Sequence, residues 1–218
     1  MISHQFQGCA AIVCECFPHA VYVHCPSHSL NLALCHFYNI PVIRNSVGTL
    51  KEVIDFFRTS PKHFLIFKLT IRESNPITGT KRIGLNKFCE TGWVEHLKAI
   101  LSFKEIFITI SKTMRGIQEH PDSDSESSSK AYSLLSAIER SSFVAVTVTV
   151  SKAFSLSQNL STALQSETIH LVCFLEDVDD LKSEVRDMRE TSEATFHPLF
   201  TEVTELGQDA EIRIRVAK

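Results

Sequence analysis

Apolar residues recur at intervals of three and four over most of the chain, the spacing of one face of a helix. Ile43, Val47, Leu50, Ile54 and Phe57 form such a stripe behind Pro41. Ser60-Pro61 restarts the chain as N-cap and first helical residue, and Phe64, Phe67 and Ile71 continue on one face. After Trp93, the residues Leu97, Ile100, Phe107, Ile110, Met114 and Ile117 predict one long helix, ended by His120-Pro121. Leu171, Phe174, Val178, Leu181, Val185 and Met188 make the cleanest stripe, with acids on the outer face. Nearer the start, Phe6, Cys9, Ala10, Ile12 and Val13 follow a helical pattern as far as Pro18. Val21-Tyr22-Val23 reads as a short strand. Pro26 breaks it, and Leu30, Ala33, Leu34 and Phe37 begin a helix with Ser27 or Ser29 as its cap.

One stretch carries two patterns. Phe143 to Val150 alternates β-branched residues, which is strand-like. Its flanks, Leu134, Leu135 and Ile138 before it and Phe154, Leu160 and Leu164 after it, keep helical spacing. A lone strand there would lack a partner, so a helix is expected. Between these elements, residues 75–84 read as a loop rich in Pro, Thr and Gly, with Lys81-Arg82 near its end. Asp122-Ser123-Asp124-Ser125-Glu126-Ser127-Ser128-Ser129 is low in complexity and too polar to pack, so it is read as a flexible linker. Such a tract also suits acid-directed kinases, against the plainer reading of a solvated loop. Ile212, Ile214 and Val216 alternate at the end of the chain.

Charge divides what the pattern leaves uniform. Residues 41–118 carry 13 Lys/Arg against 6 Asp/Glu, a balance of +7, and residues 119–218 carry 9 against 18, a balance of -9. A basic block of that kind can track a phosphate backbone, and it can equally be the solvated face of helices. No apolar run approaches the roughly 20 residues that span a bilayer, so no membrane partner is expected. The start lacks the layout of a signal peptide. Five of the seven cysteines precede residue 36, and without a secretory signal they are expected as free thiols.

Candidate chemistry gathers in two blocks. The first is Val23-His24-Cys25-Pro26-Ser27-His28-Ser29-Leu30-Asn31-Leu32-Ala33. It resembles the Cys-x-x-His motif of hAT-family DNA transposases and of host proteins derived from them, zinc finger MYM-type proteins among them. The second, Lys87-Phe88-Cys89-Glu90-Thr91-Gly92-Trp93-Val94-Glu95-His96, resembles that family's Cys-Glu-Thr-Arg-Trp block in the same order, with Gly92 replacing the usual Arg. Met1-Ile2-Ser3 with Phe6 and Gly8 resembles the end of a family segment that carries a catalytic Asp.

The resemblance implies a mainly α chain: a remnant of an RNase H-like α/β core over 1–40, then an all-helical insertion. The insertion divides into a basic part at 41–118, an acidic Ser-rich linker at 119–130 and an acidic part at 131–218. It places a helix over 143–150. The family's metal-binding carboxylates fall outside 1–218, so no catalytic residue, metal or cofactor is assigned and enzymatic activity is not expected. Lys81, Arg82, Lys87 and Trp93 are the candidate DNA-binding residues. Trp93 would stack on a base by the resemblance, or would anchor the helix as a core residue. Cys25 and His28 are taken as a structural motif. The partners expected are DNA, bound weakly and without sequence preference, or a protein, or a second copy. The location expected is the nucleus by resemblance, and otherwise the cytoplasm. The alternatives are a small zinc-dependent binding module over residues 9–36, drawing on Cys14, Cys16, His19, His24, Cys25 and His28, and a gene fragment without selected function.

Overall fold

A computed structural model describes residues 8–20, 26–74, 85–86, 93–120, 123–164 and 171–214. Among these residues there are ten α-helices, one short 3-10 turn and no strand. The expected strand at Val21 to Val23 lies outside the described residues, as does the alternation's last member, Val216.

Helix α1 (Cys9–Cys16) forms where its pattern predicted, but none of its residues is buried, and Ile12 and Val13 are about half exposed. Helix α2 (Pro26–Cys35) opens on Pro26 itself. Ser27 and Ser29 therefore lie inside its first turns and not at its cap. Proline needs no intrahelical donor at a first helical position, which is why the helix starts at least two residues earlier than a Ser27 or Ser29 cap would place it. A 3-10 turn (His36–Asn39) leads to α3 (Pro41–Thr59).

The whole α3 stripe, Ile43, Val47, Leu50, Ile54 and Phe57, is buried. Ser60 then does what its position promised. Its Oγ accepts from the His63 N–H at 3.3 Å and opens α4 (Pro61–Ser74), whose Phe67 ring lies tilted against Phe57 at 5.0 Å between centroids.

The long helix expected after Trp93 is two. Helix α5 (Trp93–Glu105) and helix α6 (Phe107–Glu119) meet at Ile106, where φ is -111° and ψ is 15°. Phe103, Ile106 and Phe107 are buried on both sides of the break, as their i, i+3, i+4 spacing would also allow in an unbroken helix. Phe103 and Phe107 close on Phe143 at 5.9 and 6.3 Å.

The acidic serine tract is corrected more fully. Six of the residues read as linker belong to α7 (Ser125–Ile138), because Asp124 caps it by accepting from the Ser127 N–H at 2.8 Å. Ser123 Oγ and Ser128 Oγ donate to the carbonyls of Ile117 and Gln118 at 2.7 and 2.9 Å, so two orphan acceptors at the end of α6 are filled. Composition suggested disorder; the hydroxyls are instead spent on helix ends.

Helix α8 (Ser141–Ala163) settles the conflicting stretch as helix. Phe143, Val144, Thr147, Val148, Ser151 and Phe154 are buried at helical spacing. β-branched residues cost a helix only a few tenths of a kcal/mol each, and burying a valine returns about 1.5–3 kcal/mol. α8 packs against α3, α5 and α7, and also against α9 (Leu171–Glu190) and α10 (Ser192–Asp209). One apolar core runs from Ile43 to Ile212, so the basic and acidic parts share it. No single described helix is long and apolar enough to cross a membrane.

The cleanest stripe in the sequence is the least covered. Val185 is 51% exposed, and no described side chain of α9 is fully buried.

Candidate functional site

Of the six residues singled out, Lys81, Arg82, Lys87 and Cys25 lie outside the described residues. Trp93 is the first residue of α5, and nothing is described of its side chain. His28 is exposed on α2. What the structure does place is the pair between Arg82 and Lys87. Leu85 is buried and its carbonyl accepts from Arg58 Nη1 at 3.0 Å. Asn86 Nδ2 donates to Ser102 Oγ at 2.6 Å and to the Lys98 carbonyl at 3.3 Å. Leu85 and Asn86 are therefore anchored between the end of α3 and the middle of α5.

The cations of the basic part divide into two groups. Some are used internally. Lys104 pairs with Glu202, and Arg115 bonds Glu139 at 2.6 Å, Glu211 at 3.3 Å and the Ala210 carbonyl at 3.1 Å. Others stand exposed: Arg44 on α3, Lys62, Lys68 and Arg72 on α4, Lys98 on α5 and Lys112 on α6. Lys68 lies over the Phe64 ring at 4.4 Å. The cleft between α3 and α7, about 710 Å³, has the opposite character. Glu52, Asp55 and Glu126 line it beside Lys130, which pairs with Glu52 at 2.8 Å, so phosphate is repelled there.

One polar constellation escaped the sequence reading. His63 is buried at 7% exposure where α3, α4 and α7 meet. Its Nδ1 donates to the Phe56 carbonyl at 3.2 Å, and Nε2 faces Ser127 Oγ at 3.1 Å. The ring also stacks on Phe56 at 4.3 Å. A carbonyl can only accept, so the proton sits on Nδ1 and the Ser127 hydroxyl donates to Nε2 in the neutral ring. Ser127 N–H is held by Asp124, and this bond, then the side-chain bond to Ser127, keeps the Asp124 carboxyl below its usual range. The Asp-x-x-Ser spacing of a helix cap was legible in the tract and is the signal that would have found it.

The cysteines are free thiols where described. Cys9, Cys16, Cys35 and Cys173 are exposed, and Cys14 Sγ donates to the Ala20 carbonyl at 3.7 Å. Among the described residues no three His, Cys, Asp or Glu side chains stand close enough to hold a metal ion.

Curated proteins similar to nearly the whole chain include the following two. The 52 kDa repressor of the inhibitor of the protein kinase from Homo sapiens is 22% identical over 98% of the chain and 28% of that protein. Its Mus musculus counterpart is 23% identical over 98% of the chain and 29% of that protein. The chain is a distant relative of this repressor. It spans less than a third of the length of either. No family model and no solved structure matches.

Proposed function

We propose that this chain is a non-catalytic, transposase-derived helical module that binds DNA weakly through its basic part. The observation that carries the reading is the segregation of charge over a single core. Exposed cations of residues 41–118 collect on α3 to α6, while α9 carries seven acids against three cations. Arg58 and Ser102 hold Leu85 and Asn86, which lie in sequence between Arg82 and Lys87 and close to Trp93. A phosphate backbone drawn to these cations would bring bases within reach of that indole, where stacking adds roughly 1–3 kcal/mol per base. The two motif blocks support descent from a hAT transposase, with residues 1–40 as a remnant of its RNase H-like core.

The test is fluorescence anisotropy of the full chain with single- and double-stranded oligonucleotides across a salt series. Binding is expected to be weak, independent of sequence and steeply salt-sensitive, because counterion release supplies most of its free energy. Lys81→Ala with Arg82→Ala should flatten the salt slope, and Trp93→Ala should cost affinity chiefly for single strands. Absence of binding at low salt would overturn the proposal and leave the basic part a solvated face. The isolated 41–118 segment is no substitute, since α3, α5 and α6 share their core with α8.

A further inference from the structure

The apolar face of α9 stands open beside a groove of about 410 Å³ whose walls include Leu30, Leu156, Leu181, Val185, Met188 and Leu199. Four acids, Asp177, Asp180, Glu184 and Asp187, follow one another at intervals of three and four along the flank of that face. An open apolar seam beside a continuous acidic ridge fits an amphipathic helix with leucine anchors and a cationic surround.

Such a helix is present in the chain itself. Leu65 and Leu69, 59% and 46% exposed, occupy the centre of the outer face of α4. Lys62, Lys68 and Arg72 surround them on the exposed surface, with Glu73 as the one acid of that helix. The minority charges also match in kind, since the one charged residue lining the groove is Lys152. Within one chain α4 packs on α3 and α6, whereas α9 packs on α8 and α10, so the α4 face and the groove belong to different sets of partners.

We propose that the α8–α9 groove is occupied by a second copy of this chain, which enters it with the Leu65–Leu69 face of α4. The α4 face and the groove are different patches. Two copies close as a dimer when each α4 face enters the other's groove about a two-fold axis. A contact made in one direction only is heterologous and grows with concentration. DNA would draw on the same α4 cations but not on its leucines, which keeps the two readings separable.

Sedimentation velocity of the full chain over a concentration series at low salt tests the contact. The weight-average mass should rise with concentration and fall back as salt screens the acid–base rim. Leu65→Gln with Leu69→Gln should weaken association at least about tenfold, the usual effect of losing central anchors, and leave DNA binding and melting temperature in place. Both leucines are exposed, so the fold does not depend on them. Lys68→Glu with Arg72→Glu should abolish self-association, as should Asp180→Lys with Glu184→Lys. Mixing the two charge-reversed proteins should restore association between them, which general stickiness cannot do. A monomer at every concentration, indifference to the leucine changes, or failure of the mixed pair to associate would each overturn the proposal.

Discussion

Glu211 is the described residue other than glycine with a positive φ, 61°, and its position makes the strain testable. It follows Ala210, the C-cap of α10. Its own N–H donates to the Gln208 carbonyl at 3.0 Å, and the Ile212 N–H reaches back to Gly207 at 2.7 Å. These two bonds are the Schellman pattern, in which the left-handed residue is usually glycine. A residue with a Cβ costs about 1–2 kcal/mol there, and glycine's larger freedom in the unfolded chain returns about 0.5–1 kcal/mol of that. The ion pair of Glu211 with Arg115, long at 3.3 Å and 82% exposed on the glutamate side, is worth about 0–0.5 kcal/mol. Glu211→Gly relieves the strain and loses the pair; Glu211→Ala loses the pair and keeps the strain. Gly should exceed Ala in stability by about 0.5–1 kcal/mol, or roughly 1–4 °C in melting temperature for a chain of this length. Glycine should also equal or exceed the parent. Reversible urea unfolding with a fixed slope is the assay. An alanine variant as stable as the glycine one would refute the reasoning, because strain at 211 would then not be felt.

Arg115 ties the ends of α7 and α10 to α6, so Arg115→Met should cost about 1–2 kcal/mol. A double-mutant cycle with Glu139→Gln should show coupling of about 0.5–1 kcal/mol, and one with Glu211→Gln almost none. Ser151 and Ser161 hold buried hydroxyls that lack a partner, and Ser151→Ala should raise stability by about 1 kcal/mol in the same assay. The Asp124 carboxyl is held below its usual value, so its contribution is present above the unfolded pKa, near 3.9, and disappears as pH falls through the folded value. Melting curves from pH 7 to pH 3 should therefore show Asp124→Ala less stable than the parent at neutral pH and converging with it in acid. A gap that persists at the lowest pH would mean that the cap acts without its charge.

What could be read from the sequence was the helices whose apolar face meets another helix. Ile43 to Phe57 repeats without interruption, and the structure buries each member. Phe143 to Val150 was harder, and it was resolved by its flanks, since alternation is a local signal while burial at 3.6-residue spacing integrates over the whole 23-residue helix. The break at Ile106 left no sequence signal, because Phe103, Ile106 and Phe107 fit an unbroken helix as long as their partner Phe143 is unknown. The serine tract failed for a related reason. Low hydrophobicity predicts disorder only when hydroxyls have water alone to bond, and here the carbonyls of Ile117 and Gln118 and the ring of His63 are waiting.

A stripe reports that a face is apolar, not that anything in the same chain covers it. The seam on α9 is as regular as that on α3, yet α3 is buried and α9 is half open. The difference lies in their neighbours. Among the described residues α3 packs mainly on α4, α7 and α8, and α9 packs mainly on α8 and less on α10. A fully solvated helix gains nothing from an apolar stripe, and its other positions would not need to be charged so one-sidedly. The acids Asp177, Asp180, Glu184 and Asp187 would merely repel one another on an isolated surface helix. Set against Lys62, Lys68 and Arg72, the same row becomes attractive, and the open seam and the acidic ridge then have one cause instead of two. That economy is why the contact between copies, and not α9 alone, is the place to look for what this part of the chain does.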